Sequence, residues 1–284
     1  MFDCAIIGTG AAGVSAALTL KALKRNFIWI GSKKLSPKIR SAEKIANYPG
    51  LLRVSGGEMT DAFLRQIESE GIEITEGKVN GVYPAEDGFS VMCGGEVFKA
   101  QSVILATGVE AFKPVNGESE FLGRGVSYCA VCDGFLYKDK TIAVIIESAE
   151  EADEVKLLAK YARTVYLFVL KGDAEIGLDN VKKIDGRVSE IKGDMRVRSV
   201  VYGKDELPVD GVFVLKQAVA ADALVYGLKT EEGRVAVDRA CATSVKGVFA
   251  AGDCTGRPFQ YAKAVGEGNV CAYSVNAYLN TLKK

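Results

Sequence analysis

A glycine-rich turn between a predicted strand and a predicted helix limits the possible folds of this chain more than any other feature. The sequence Gly-Thr-Gly-Ala-Ala-Gly fills residues 8–13 and directly follows an apolar run at residues 3–7. A stretch with helical periodicity continues through Lys24, and residues 27–30 are apolar again. This order predicts a β-α-β unit that binds a dinucleotide, because the glycines let backbone N–H groups at the start of the helix approach a pyrophosphate.

One part of that motif is missing from the chain. The acidic residue that usually holds the ribose near the end of the second strand is replaced by Gly31-Ser32. We therefore expect Ser32, or a backbone group, to take over this contact.

The opening pattern recurs about 138 residues later in the chain. Residues 141–146 are a predicted strand, residues 150–161 a predicted helix and residues 164–170 a second predicted strand. Two strand ends, at residues 102–108 and 247–253, suit the sheet of the first unit, so the chain between them contains an insertion.

We therefore predict an α/β fold with two Rossmann-like three-layer domains. The interrupted domain comprises residues 1–112 and 235–284. The smaller inserted domain comprises residues 113–234 and carries Cys129 and Cys132.

The second unit has lost the glycines of a nucleotide site. Ile146, Glu147 and Ser148 stand where the first unit has its first three motif residues, and Glu151 replaces the third glycine. Acidic side chains there repel phosphate, and the Ser148-x-x-Glu151 pattern predicts a capping box that satisfies the helix's own N–H groups. Lys171 is the only cation before the acids that follow, so no clamp for the 2′-phosphate of NADP is expected. The alternative is a degenerate loop that still binds nucleotide.

The sequence Cys129-Ala-Val-Cys132-Asp133 suggests redox chemistry, because two thiols at this spacing can form a readily exchanged disulfide. A single C-x-x-C also serves as half of a zinc site or as two packing cysteines. The chain has no second C-x-x-C and no histidine, so we expect no metal site. We interpret the other five cysteines as packing residues: Cys4, Cys93, Cys241, Cys254 and Cys271.

Composition narrows the possible partners and compartment. The 284-residue chain is 48% hydrophobic and has a formal net charge of zero, which argues against general attraction to nucleic acid or to an anionic membrane. No apolar run approaches the length of a membrane span. Seven irregularly spaced cysteines are not typical of an extracellular disulfide framework, so we expect a cytoplasmic protein.

Five motifs in order resemble the low-molecular-weight thioredoxin reductases, in which an FAD domain is interrupted by a smaller pyridine-nucleotide domain. The resemblance covers nearly the whole chain. It rests on residues 8–13, 47–50, 106–108, 125–135 and 250–253, together with Gln260.

The departures from this family resemble those of its ferredoxin-dependent flavin branch, which does not use NADPH. The glycines and the arginine-rich clamp of the inserted domain are absent, and residues 215–219 replace a loop that usually contains glycine and proline. The resemblance implies a homodimer, bound FAD, a ferredoxin as electron donor and thioredoxin as electron acceptor.

The resemblance also implies roles for individual residues. Cys132 would face the flavin, Cys129 would attack the substrate disulfide and Asp133 would be the acid that protonates a leaving thiolate; a turn or helix cap is the alternative for Asp133. The implied FAD contacts are Gly8, Gly10, Ala11, Ala12, Gly13, Ser32, Asn47, Val79, Ala106, Thr107, Gly108, Gly252, Asp253, Gln260 and Tyr261.

A basic segment is the candidate docking site for an acidic ferredoxin. Eight Lys or Arg residues and a single acid, Glu43, occur between Lys21 and Lys44. Within this segment we select Lys33, Lys34, Lys38 and Arg40. A merely solvated basic loop is the alternative.

Three other functions fit the same motifs. A flavin-dependent dithiol oxidase would run the cysteine pair in reverse and release hydrogen peroxide from oxygen. An ordinary NADPH-dependent thioredoxin reductase with an unusual nucleotide loop is the second, and a flavin-bearing redox sensor or scaffold without turnover is the third.

Overall fold

The computed structural model of the protein describes residues 1–109, 115–215 and 221–282, and of Cys132 it describes the backbone alone. The chain divides into two compact units. Unit 1 comprises Met1–Val109 and Ala220–Lys284, and unit 2 comprises Glu110–Val219. The predicted boundary at residue 113 and residues 216–219 of the replaced loop lie outside the described residues.

The strands and α-helices are numbered along the chain. The strands are β1 Cys4–Ile7, β2 Phe27–Gly31, β3 Thr75–Glu76, β4 Val79–Ala85, β5 Gly88–Cys93, β6 Glu96–Ala100, β7 Val103–Leu105, β8 Val126–Ser127, β9 Thr141–Ile146, β10 Thr164–Val169, β11 Val181–Lys183, β12 Val188–Gly193, β13 Val197–Tyr202, β14 Asp205–Pro208, β15 Gly211–Leu215, β16 Thr230–Glu231, β17 Arg234–Val235 and β18 Val248–Ala250. The α-helices are α1 Ala11–Ala22, α2 Pro37–Arg40, α3 Gly56–Ser69, α4 Ala130–Asp133, α5 Ala152–Ala159, α6 Ala221–Leu224 and α7 Tyr261–Leu282.

The main sheet of unit 1 is parallel, with strand order β18-β7-β1-β2-β3. Every residue of β1 is buried, as expected for a parallel strand covered on both faces. Helix α1 connects β1 to β2 and packs against α7, and the indole of Trp29 on β2 donates a hydrogen bond to the Gly8 carbonyl at 2.9 Å. A separate antiparallel sheet, β4-β5-β6, shows the alternating burial along β5 that a sheet with one covered face requires.

The main sheet of unit 2 is also parallel, with strand order β11-β10-β9-β15-β8. The antiparallel sheet β12-β13-β14 accompanies it. Two parallel sheets with connecting helices confirm the predicted α/β class with two Rossmann-like domains.

The predicted element limits are close to the observed ones in both units. Strand β9 has the predicted limits, whereas the helix predicted at residues 150–161 is a 3₁₀ turn, Ala149–Glu151, followed by the shorter α5. Helix α5 ends early because Tyr161 N–H bonds to the carbonyl of Leu158, three residues back, which tightens the last turn.

The predicted domain limit at residue 234 differs from the division between the units. Residues 221–234 carry α6 and β16, and these belong to unit 1 because α6 packs against β4 and Val225 bridges to Val82. The composition does not change where the chain passes from unit 2 to unit 1, so the sequence does not indicate this boundary. None of the helices in the described residues has the length and apolar character needed to cross a membrane.

Close contact between α1 and α7 depends on Gly268. A Cβ added at Gly268 would lie 2.2 Å from the Ala12 carbonyl oxygen, whereas one added at Gly266 on the same helix would have no described atom within 4 Å. We expect Gly268→Ala to destabilise the protein by about 1–3 kcal/mol through overpacking. The matched control Gly266→Ala should be neutral or stabilising by up to about 1 kcal/mol, because alanine favours helix. Thermal unfolding followed by circular dichroism checks this, and equal shifts for both variants would contradict it.

Candidate functional site

A cleft of about 370 Å³ in unit 1 lies at the carboxyl ends of three parallel strands. The chain that follows β1 contributes Gly10, the chain after β7 contributes Ala106, and the chain after β18 contributes Asp253. The chain leaves the neighbouring strands β1 and β7 in opposite directions, since β1 is followed by β2 on one side and β7 is followed in this sheet by β18 on the other. Ligands of open α/β sheets bind at this kind of position.

The amino end of α1 faces this cleft. Gly10 is the residue preceding the helix, and Gly10, Ala11 and Ala12 line the cleft. Gly10 has no side chain that could cap α1, and the described first turn of α1 contains no acid. The first N–H groups of an α-helix lack intrahelical partners and carry partial positive charge, so this helix end can bind a phosphate.

Gly8 and Gly13 lie behind the cleft rather than in its lining, and they allow close packing. Gly8 has φ +110°, and a Cβ there would lie 2.3 Å from the Ala106 carbonyl oxygen. A Cβ on Gly13 would lie 2.1 Å from the Gly8 carbonyl oxygen. The three glycines therefore have separate roles: Gly8 lets the turn approach the chain after β7, Gly13 lets the helix approach the turn, and Gly10 leaves room for a ligand.

Residues from distant parts of the chain meet on the other side of the cleft. Asn47 Nδ2 donates a hydrogen bond to Gln260 Oε1 at 2.7 Å, and both side chains line the cleft. Tyr261 also lines it, and its hydroxyl donates to the Lys38 carbonyl at 3.3 Å. Burial, followed by the nearby charge of Asp253, raises the pKa of Tyr261.

Asp253 stands on a turn that partly buried charges hold in place. Lys263 Nζ donates to the carbonyls of Gly252 at 2.7 Å and Gly256 at 2.8 Å, and it pairs with Glu267 at 3.1 Å. Glu267 in turn accepts the Gly252 N–H at 2.8 Å. Burial raises the pKa of Asp253, and the nearby cations, Lys263 first, oppose that rise. Gly252 and Asp253 both line the cleft.

The remaining predicted FAD contacts have varied positions. Ala106 and Gly108 line the cleft, and Thr107 lies between them in the chain without being part of the lining. Ser32 lies outside the lining; its N–H bonds to Thr9 Oγ1 at 3.2 Å. Val79 is buried at the start of β4 and is also outside this cleft.

Several lining residues escaped sequence reasoning. Ile39, Lys44 and Ile45 follow β2 and line the cleft. Phe259 also lines it, and the guanidinium carbons of Arg234 and Arg257 lie 5.4 and 5.2 Å from its ring centroid. The sequence could have indicated Ile39, Lys44 and Ile45, because residues 36–45 follow a strand of the predicted nucleotide-binding unit. No sequence pattern identifies Phe259 as a cleft residue, because Arg234 is brought to it only by the fold.

The four predicted docking cations have different surroundings. Lys33 and Lys34 are exposed. Lys38 lines the cleft and donates a hydrogen bond to the Val109 carbonyl. Arg40 forms an exposed ion pair with Asp61 at 3.0 Å.

The corresponding helix start in unit 2 is closed by its own side chains. Ser148 Oγ accepts the Glu150 N–H at 3.3 Å, and the Glu151 carboxylate accepts the Ser148 N–H at 2.8 Å. Glu151 is buried. The predicted capping box is confirmed, and a negative charge occupies the place where α1 offers free N–H groups.

The cysteine segment in unit 2 follows β8. Cys129 is buried and its sulfur is in a disulfide bond, whereas the five packing cysteines are buried, free thiols. The side chain of Cys132 is outside the described part, so its pairing with Cys129 stays a prediction. Asp133 Oδ2 accepts a hydrogen bond from Ser127 Oγ at 2.6 Å. The described residues contain no cluster of ligands that could hold a metal ion.

With this geometry established, comparison with known proteins assigns the chain to a family. It belongs to the pyridine nucleotide-disulphide oxidoreductases, which it matches over residues 2–146 and 179–268. The thioredoxin reductase of Treponema pallidum is 32% identical, with 99% of this chain and 98% of that protein covered. The thioredoxin reductase of Listeria innocua is 30% identical, with coverage of 100% and 96%.

Two crystal structures of a ferredoxin-flavin thioredoxin reductase from Clostridium acetobutylicum are similar to this protein. One has 38% identity and a TM-score of 0.92, covering 99% of this chain and 98% of that chain. The other has 40% identity and a TM-score of 0.89, covering 100% and 99%. The protein is therefore an FAD-binding oxidoreductase of the thioredoxin reductase type.

The cleft of unit 1 fits FAD. The uncapped amino end of α1 suits its pyrophosphate, and Asp253, Asn47 and Gln260 offer polar groups to the rest of the molecule. Gly10 leaves space beside the helix end, since an added Cβ would meet no described atom within 4 Å.

A charge placed at Gly10 tests this assignment. Gly10→Asp should cap α1 and leave stability within a few tenths of a kcal/mol, while its carboxylate repels the pyrophosphate. We expect FAD affinity to fall at least about tenfold below that of Gly10→Asn, a control of the same size without the charge. Flavin content after purification and FAD titration of the apoprotein measure the difference. Equal FAD binding by the two variants would place the pyrophosphate elsewhere.

Proposed function

We propose that this protein reduces thioredoxin through a Cys129–Cys132 disulfide, with electrons from a reduced ferredoxin that reach the disulfide through FAD. The single observation that carries the choice of donor is the contrast between two helix starts. The amino end of α1 is open, whereas its counterpart in unit 2 is closed by Ser148 and Glu151. An NADPH pyrophosphate would have to displace that cap and approach a buried carboxylate. Similarity to the ferredoxin-flavin thioredoxin reductase of Clostridium acetobutylicum supports the same donor.

Each part of the cleft has a role toward the flavin nucleotide. The N–H groups at the start of α1 bind the pyrophosphate, and Asp253 on its fixed turn accepts hydrogen bonds from hydroxyl groups. The Asn47–Gln260 pair holds its amide groups in one orientation. Bound FAD supplies the chemistry that the side chains lack, since it accepts electrons one at a time and delivers them in pairs.

The cysteines would carry the electron pair to the substrate. The Cys129 thiolate attacks a sulfur of the thioredoxin disulfide, one substrate thiolate leaves, and a mixed disulfide forms. Cys132 then attacks Cys129, so that the second substrate thiolate leaves and the Cys129–Cys132 disulfide is restored. Asp133 accepts the proton of the attacking Cys129 thiol and returns it when Cys129 is a leaving thiolate.

The surface beside the cysteines suits a protein substrate. Val131, Phe135 and Leu136 are 51%, 58% and 53% exposed, although all three are apolar. A cluster of exposed apolar side chains next to a reactive site is typical of a protein-binding surface. We assign it to thioredoxin docking.

Lys33 and Lys34 remain the candidates for docking an acidic ferredoxin, because both are exposed. Lys38 and Arg40 belong to the same docking prediction, although Lys38 lines the cleft and Arg40 is paired with Asp61. A homodimer in the cytoplasm completes the proposal, and the five free thiols suit a reducing compartment.

A turnover assay without oxygen tests the electron route. With reduced ferredoxin and oxidised thioredoxin, we expect thioredoxin thiols to appear; NADPH in place of ferredoxin should give none. Cys129→Ser should abolish turnover, because it removes the attacking thiolate. Turnover with NADPH would contradict the proposed donor, and hydrogen peroxide release from a small dithiol in air, without thioredoxin reduction, would favour the dithiol oxidase.

The docking surface is tested in the same assay. Changing Lys33 and Lys34 to Glu should raise the KM for ferredoxin, most strongly at low salt, because opposite charges steer association. Changing exposed Lys182 and Lys204 in unit 2 to Glu alters the net charge equally and is the control. An equal rise in the KM for ferredoxin from both pairs of changes would contradict docking at Lys33 and Lys34.

A further inference from the structure

One buried hydroxyl group connects the backbone of Cys129 to the carboxylate of Asp133. Ser127 Oγ accepts the Cys129 N–H at 3.1 Å and lies 2.6 Å from Asp133 Oδ2. Ser127 is 4% exposed and is the last residue of β8, where it pairs with the fully buried Phe213 of β15. The parallel sheet of unit 2 therefore fixes the position of this hydroxyl.

The Ser127 hydroxyl donates its hydrogen bond to the Asp133 carboxylate. A serine hydroxyl has a single proton to donate, and the alternative acceptor, the Cys129 carbonyl, is 3.3 Å away. A distance of 2.6 Å is typical of a strong, charge-assisted O–H···O⁻ bond. The bond from Cys129 N–H is an ordinary serine turn, which needs no contact with Asp133. The contact with the carboxylate therefore calls for a separate explanation.

We propose that Ser127 is a positioning residue that holds the Asp133 carboxyl group beside Cys129 for proton exchange. The inference rests on the proposed function, in which Cys129 is alternately an attacking thiol and a leaving thiolate. When dithiothreitol reduces the disulfide, its first thiol gives its proton to the Asp133 carboxylate and its sulfur attacks Cys129, so that a new S–S bond forms, the Cys129–Cys132 bond breaks and Cys132 leaves as a thiolate. The second dithiothreitol sulfur then closes the dithiothreitol ring, Cys129 leaves as a thiolate, and Cys129 takes that proton from Asp133. Without Ser127 the Asp133 side chain is free to turn away from Cys129.

A pair of variants with the same shape isolates the hydroxyl. Ser127→Thr keeps the donor, whereas Ser127→Val has nearly the volume of threonine without it. Tyr128→Phe is the control for loss of a neighbouring, partly buried hydroxyl contact, because the Tyr128 hydroxyl bonds to Glu118 at 3.1 Å. Thermal unfolding of each FAD-loaded variant confirms that folded proteins are compared.

The readout is the rate at which dithiothreitol reduces the disulfide of the FAD-loaded protein, followed by thiol trapping and mass spectrometry. We expect Ser127→Val to slow this rate by about tenfold or more, and Ser127→Thr to remain within about threefold of the natural protein. Tyr128→Phe should leave the rate unchanged. Ser127→Val combined with Asp133→Asn should be no slower than Asp133→Asn alone, because Ser127 acts through Asp133. In thioredoxin turnover, Ser127→Val should lower kcat and leave the KM for thioredoxin unchanged.

Equal rates for the threonine and valine variants would overturn the proposal, as would losses that multiply in the double variant. An equal loss in Tyr128→Phe would also overturn it, because packing alone would then account for the effect. The dithiothreitol reaction involves neither ferredoxin nor thioredoxin. If the dithiothreitol rates follow the expected pattern but the protein does not turn over thioredoxin, the proposed function is rejected and the role of Ser127 is kept.

Discussion

The open amino end of α1 is the feature on which the rest of unit 1 depends. Gly10, Ala11 and Ala12 line the cleft at this helix end. Gly13 lets α1 approach the Gly8 carbonyl, and Gly8 lets the turn approach the Ala106 carbonyl after β7. The chain after β7 and the chain after β18 then supply Ala106 and Asp253 to the lining of the same cleft. In the proposed function, the FAD pyrophosphate compensates the partial positive charge at this helix end, so cofactor binding depends on the same turn that joins β1 to α1.

The matching helix start in unit 2 is closed. In unit 2 the strand, turn and helix recur, but Ser148 and Glu151 satisfy the N–H groups that α1 leaves open. The parallel sheet of unit 2 positions the cysteine segment, and β8 places Ser127 just before it. In the proposed function, loss of the phosphate site in unit 2 needs no change of fold, only a change in what caps one helix.

Much of this was predictable because the decisive features are local. The limits of β9, the capping box and the placement of Gly10 follow from neighbouring residues in the chain. The sequence did not predict that Lys38 and Phe259 line the cleft. Ser32 was expected to contact the cofactor, but it lies outside the cleft lining. The positions of these residues depend on how a loop crosses back over the sheet. Residues nearby in the chain do not specify that path. The contact of Ser127 with Asp133 escaped for a different reason: serine has many possible partners, and only the 2.6 Å distance selects one.

The most direct test of the account is the rate of flavin bleaching in the purified protein, mixed anaerobically in a stopped-flow instrument with excess NADPH or with reduced ferredoxin. The account predicts rapid bleaching with ferredoxin and none with NADPH, because the helix start in unit 2 offers no site for its pyrophosphate. Rapid bleaching with NADPH would contradict it, since the cap formed by Ser148 and Glu151 would then yield to a nucleotide.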